Sequence, residues 1–209
     1  MSARIPAIVG AAAATGAIAL LSGVAHGSVV IATVLVLAAR YGPVAADPSR
    51  AREASRQVGL VPAWVAIVTV AVLRAGAVGL QDVRGANAIA GLAIARGSAA
   101  LVLAAWVALG AGIVAIATAS GGRPFARRAL VPSAFEALAA ALQIVLLVTL
   151  FAGPTVADLA DVVPWIAASL AVGGVALVAA RAAWIERSDA LVTAAAAAAV
   201  VVALGGGRL

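Results

Sequence analysis

Apolar runs of about twenty residues recur along this chain, separated by short polar segments, and that pattern leaves few folds open. From Ile5 to Ala39 the sole ionisable side chain is His26, and from Ala129 to Ala157 it is Glu136. A helix needs about 20 predominantly apolar residues to cross the roughly 30 Å hydrocarbon core of a bilayer. Neither the alternation of a membrane-barrel strand nor the 7 to 15 residue apolar core of a secretory signal describes these runs. The pattern therefore predicts an all-α fold, a polytopic transmembrane helix bundle forming a single integral membrane domain over residues 1–209. Composition agrees: the chain is 65% hydrophobic and 11% charged, where a soluble domain carries about 25% charged residues.

The residue types that are missing exclude several chemistries. With no cysteine there is no disulfide, thiolate metal site or iron-sulfur ligation by this chain. One histidine cannot supply both axial ligands of a bis-histidine haem. All 14 basic residues are arginine, so no lysine is present for a Schiff-base chromophore. The net charge of +6 lies mostly on arginines in short loops beside apolar runs, where it reads as topology signal rather than as a nucleic-acid surface. No Walker loop, zinc motif, nucleophile elbow or dinucleotide fingerprint occurs, and the sequence predicts neither a cofactor nor a catalytic constellation.

Seven spans are predicted. They run approximately Ile5 to Val24, Ser28 to Ala39, Val58 to Leu80, Asn87 to Ala119, Ala129 to Ala152, Pro164 to Ala180 and Ala190 to Gly205. The first two fuse into one long tilted helix in the six-span alternative. A polar cytoplasmic loop at about 41–57 carries Pro43, Asp47, Pro48 and Glu53, with a short amphipathic helix around Ser49 to Gln57. With the N-terminus inside, the inner face receives Arg4, Arg40, Arg50, Arg52, Arg56, Arg123, Arg127, Arg128, Arg181 and Arg187, and the outer face only Arg84 and Arg208. That asymmetry satisfies the positive-inside rule for a multi-pass protein of the cell's inner membrane with its C-terminus outside. Fusing the first two spans moves only Arg4 across, so both counts stay open.

An ionisable side chain within a span costs roughly 2.5–3.5 kcal/mol at the helix centre, which makes it a functional candidate. Glu136 lies seven residues into its span, roughly 10 Å from the edge. Carboxyls in low dielectric exchange protons nearer neutral pH than carboxyls in water, the property a proton path requires. Ser133 and Gln143 fall near the same helix face and complete a polar stripe. The alternative is structural, with Glu136 neutralised by Arg127 or Arg128 or bonded to a backbone carbonyl. Arg74 and Arg96 sit inside the third and fourth spans, where they could balance charge in a polar cavity near Asp82, meet a partner, or snorkel outward. His26 reads as a solvated turn residue, and the four tryptophans mostly as interfacial anchors. Small residues at Gly23 and Gly27, and at Ala108 and Gly112, have the spacing of close helix contacts.

From Val102 to Phe151 the order is an apolar helix, a turn bearing Arg123, Arg127 and Arg128, then a helix with Glu136 near its start. That order resembles subunit K of respiratory complex I and component E of group 4 membrane-bound hydrogenases such as formate hydrogenlyase. Ala180 to Ser188 looks like the basic, Trp-containing end of component E's last conserved helix. The resemblance implies a membrane subunit of an energy-converting complex, with other membrane subunits and the lipid bilayer as partners and Glu136 in a chain of buried ionisable groups. Subunit K carries a second buried Glu in the following helix; Pro164 to Ala180 has none, which leaves scaffolding of the membrane arm as the alternative to conduction. A small self-contained transporter or exporter, with Arg74 and Arg96 lining its cavity, and a purely structural membrane protein are the other classes.

Overall fold

The structure, a computed structural model, describes residues 4–89, 98–119, 130–151, 159–180 and 189–206. The described residues are all-helical apart from turns and an isolated antiparallel bridge between Ser28 and Gly79. In chain order the helices are α1 (Arg4–Leu21), α2 (Val29–Ala45), α3 (Ala51–Gly59), α4 (Val61–Ala75), α5 (Leu80–Ile89), α6 (Ala99–Ala119), α7 (Leu130–Phe151), α8 (Leu159–Ala180) and α9 (Asp189–Gly206). A short 3-10 turn, Pro48–Arg50, leads into α3.

α1 and α2 form an antiparallel hairpin, so residues 5–39 are two helices and not one long one. Gly23 takes φ +85° in the turn, a conformation open to glycine at little cost. Ser28 then caps α2, its Oγ accepting from the Ile31 N–H at 3.2 Å. Further along, the two backbones nearly touch: a Cβ placed on Gly42 would lie 2.5 Å from the Pro6 carbonyl oxygen and 2.7 Å from Gly10 Cα. The turn is pinned to the start of α5, with Val29 N–H donating to Val78 O at 3.0 Å and Leu80 N–H to Gly27 O at 2.9 Å. Arg84 of α5 donates to the Leu21 carbonyl at the end of α1.

Four predicted spans have clearly different bounds: the second runs on through Pro43 to Ala45, past Ala39 and into the segment expected as loop, and the sixth starts at Leu159, ahead of Pro164. The third stops at Ala75, not Leu80, because Gly76 adopts a left-handed φ of +66° and its N–H closes the helix on Val72 O at 2.9 Å. The fourth starts at Ala99, not Asn87: Asn87 belongs to the separate helix α5, and Ser98 opens α6 by accepting from Leu101 N–H at 3.3 Å. The amphipathic helix expected near Ser49 to Gln57 is α3, and before it the Asp47 carboxylate accepts from Ser49 Oγ at 2.6 Å and Ser49 N–H at 2.9 Å. Those two bonds hold the Asp47 carboxyl below its ordinary pKa.

α6 is the central helix, packed against α4, α7, α8 and α9. Its buried side is largely Ala104, Ala105, Ala108, Ala111, Gly112 and Ala115, and such small residues let neighbours come close. A Cβ on Gly112 would stand 2.6 Å from Leu147 Cδ2 of α7, so that glycine is a real packing position. Gly27 likewise makes room for Leu20, whereas Gly23 is demanded by its φ. The outward faces are apolar too: Ile8, Val34, Val65, Leu170, Val178 and Val201 are all exposed on five different helices. Among the described residues, the stretches Ala51–Ala75 and Ala99–Ala119 are long and apolar enough to cross a membrane.

Candidate functional site

One end of the bundle gathers charge. The last turns of α2 present Arg40 and Tyr41, the 3-10 turn presents Arg50, α3 brings Glu53 and Gln57, and α7 brings Glu136. Arg50 and Glu53 meet because they are three residues apart across the start of α3, where an acidic side chain also complements the helix dipole. Arg50 Nε donates to Glu53 Oε2 at 2.9 Å and its Nη2 to Glu53 Oε1 at 2.7 Å, a two-pronged pair of the kind a guanidinium fork favours. The remaining arm, Nη1, donates to Glu136 Oε1. Burial opposes the Arg50 charge, but the hydrogen bonds to Glu53 and Glu136 outweigh it and raise its pKa above the ordinary guanidinium value.

Arg40 grips the same point of α7 differently. It is 6% exposed, and its Nη1 donates to the main-chain carbonyl of Glu136 at 3.0 Å. Two arginines from one side of the bundle therefore hold α7 at one residue, one by its carboxylate and the other by its backbone.

Beside this cluster lies a cavity of about 240 Å³ between α2, α3, α4, α6 and α7. Its wall includes Arg40, Tyr41, Gln57, Trp64 and Gln143 among apolar side chains. Gln143 and Gln57 are only 2% and 8% exposed. Gln143 Oε1, Gln57 Oε1 and Gln57 Nε2 have no hydrogen-bond partner among the described residues. An unmatched buried polar group costs about 1–3 kcal/mol, so three at one cavity make it a place where polar ligand atoms are favoured.

The sequence-predicted residues divide as follows. Glu136 is at the cluster, its carboxylate about a quarter exposed and paired with Arg50; Arg127 and Arg128, the expected partners, lie outside the described residues. Gln143 stands two turns along α7 on the cavity wall. Ser133 stands three residues before Glu136 on α7, its side chain outside the described part. Arg74 is half-buried in the last turn of α4, some 13 residues and roughly 20 Å along that helix from its cavity end, and so does not join this site. Arg96 lies outside the described residues. His26 is exposed in its turn. Trp64, expected at an interface, is buried in the core, 1% exposed on the cavity wall.

Sequence reasoning missed Arg40, Arg50, Glu53 and Gln57 as site residues. In the sequence these arginines count toward topology; the three-residue spacing of Arg50 and Glu53 allows a pair, but Arg56 stands at the same spacing from Glu53. Among the described residues no three His, Cys, Asp or Glu side chains come together as a metal site. No protein-family model, curated protein or solved structure matches the chain.

Proposed function

We propose that the chain is a seven-span integral protein of the inner membrane, N-terminus inside, serving as a non-catalytic membrane subunit of an energy-converting respiratory or hydrogenase-type complex. Helices apolar on their outward as well as inward faces support the bilayer placement, since water-facing helices segregate polar residues to one side. In this reading the Arg50 cluster sits at the cytoplasmic end, α3 lies in the inner interface, and α5 caps the opposite end.

The observation that carries the proton assignment is the placement of Glu136. Its carboxylate stands at the partly exposed edge of the cluster, and Gln143 lies about 10 Å further along the same helix beside a cavity. A proton arriving from the aqueous side reaches Glu136 first; the cavity offers room for the water that would relay it toward Gln143. Arg50 has a resting place when Glu136 is protonated, because two of its donors already belong to Glu53.

Glu136→Gln keeps the shape and removes the titratable proton. Assembly should persist while proton-coupled turnover of the complex falls at least tenfold; unchanged turnover would end the relay assignment, and loss of assembly alone would make Glu136 structural. Isolation in mild detergent tests the partner. Co-purification with hydrogenase or quinone-reductase subunits is expected. A clean homo-oligomer that moves a solute across liposomes would instead establish the second reading, a self-contained transporter, which the cavity beside Arg40 favours.

A further inference from the structure

The three orphaned amide atoms describe what the cavity accepts. Gln57 offers an NH2 donor group and a carbonyl acceptor whichever way its amide is turned, and Gln143 in the orientation it takes adds an acceptor. A hydroxyl both donates and accepts, so one or two hydroxyls match this set, where a bare carbonyl or ammonium matches only part of it. The charge on the lining is already engaged: among the described lining residues Arg40 is the charged one, and its Nη1 donates to the Glu136 carbonyl, which leaves recognition to the two amides. The rest of the lining, including Leu37, Val58, Leu60 and Val61, calls for an apolar body. Size sets the scale, because an engineered apolar cavity of about 150 Å³ holds benzene, and this one is about 240 Å³. Tyr41, Val58 and Val61 are exposed as well as lining, so the cavity opens at the surface of the bundle.

We propose that this cavity binds a neutral amphipathic molecule of single-ring size whose head carries one or two hydroxyls, held by Gln57 and Gln143 with its apolar body against Trp64. The cavity and Gln143 are shared with the proton assignment, but Gln57 takes no part in that path and Glu136 takes none in this site, so Gln57→Leu and Glu136→Gln tell the failure of one from the failure of the other. Four probes that differ only in the head decide it: toluene, p-cresol, 4-methylcatechol and p-toluate, each titrated against the full chain in detergent with the unfolding midpoint as readout. The two phenols should bind at least tenfold more tightly than toluene, and p-toluate no better than toluene. Gln57→Leu and Gln143→Leu should leave the unliganded protein at least as stable, because each removes an unmatched buried polar group, while erasing the preference for the phenols. Toluene binding as well as p-cresol, no binding by any probe, or a preference that survives both substitutions would each overturn the site.

Discussion

Replacing Gly42 with alanine tests the α1 and α2 hairpin where its two backbones come closest. A Cβ there would sit 2.5 Å from Pro6 O, 2.7 Å from Gly10 Cα and 2.9 Å from Gly10 N, all backbone atoms that cannot rotate away. Restoring van der Waals contact requires the helices to part by roughly 1 Å, and a gap of that order forfeits about a quarter to a half of each dispersion well it opens. Overpacking of this kind costs about 1–3 kcal/mol. The better helix propensity of alanine returns about 1 kcal/mol, leaving a net loss of up to about 2 kcal/mol. At about 2–4 °C per kcal/mol for a chain of this size, the unfolding midpoint in detergent should drop by up to about 8 °C. Gly10→Ala, whose nearest neighbours are Gly42 Cα and Pro43 Cδ at 3.2 Å, should lose less. Gly110→Ala on the exposed side of α6 meets nothing within 4 Å and should hold its midpoint or gain. If Gly42→Ala melts at or above Gly110→Ala, the hairpin is not packed backbone against backbone and the reasoning fails.

Two further outcomes concern the loop side of the charged cluster. A double-mutant cycle with Arg50→Ala and Glu136→Ala should give a coupling of about 1 kcal/mol in unfolding measurements, the range for a partly exposed pair, and a coupling near zero would remove Arg50 as the partner of Glu136. Asp47→Ala supplies a pH test. Its carboxyl pKa is lowered in the folded chain by Ser49, so the stabilisation is complete above the ordinary aspartate value of about 3.9 and disappears as pH falls through the lower folded value. The difference in midpoint between the native chain and Asp47→Ala should therefore be constant near neutral pH and vanish in acid; a difference that grows in acid would reverse the assigned sign.

The helices were legible in the sequence and the site was half legible, for reasons that particular residues make plain. Apolar runs fix where helices lie, since unbonded backbone is costly away from water, and each of the seven predicted apolar runs overlaps a helix, in order α1, α2, α4, α6, α7, α8 and α9. The displaced ends came from local backbone chemistry. At Gly76 a left-handed residue stopped α4 inside a still apolar run, and Ser98 restarted the chain as α6 after α5. Glu136 and Gln143 stood out because a polar residue among apolar ones is conspicuous. Arg50 did not, because in a loop already rich in arginine nothing in one dimension distinguishes the arginine that folds back onto α7 from those that face water. Gln57 is the sharper lesson: on the helix with the most polar composition, it is the residue that turns inward.

That inward turn bears on whether Glu136 can change charge without loosening the bundle. A carboxylate that alone anchored α7 would be a poor relay, because each protonation would release the helix. Here the anchoring is divided. The Arg40 bond goes to the Glu136 main-chain carbonyl and is indifferent to the side chain's charge. Arg50 keeps its two bonds to Glu53 when the third is lost, so the turn before α3 stays tethered. Only the single bond from Arg50 Nη1 depends directly on the ionised carboxylate. Protonating Glu136 therefore weakens one contact in a set of four, a loss of about 1.5–3 kcal/mol at most for a charged hydrogen bond and less at a partly exposed one. Because most of the anchoring does not pass through the ionised carboxylate, Glu136→Gln should keep the Arg40 contact to the main chain and the Arg50 contacts to Glu53, and should assemble normally.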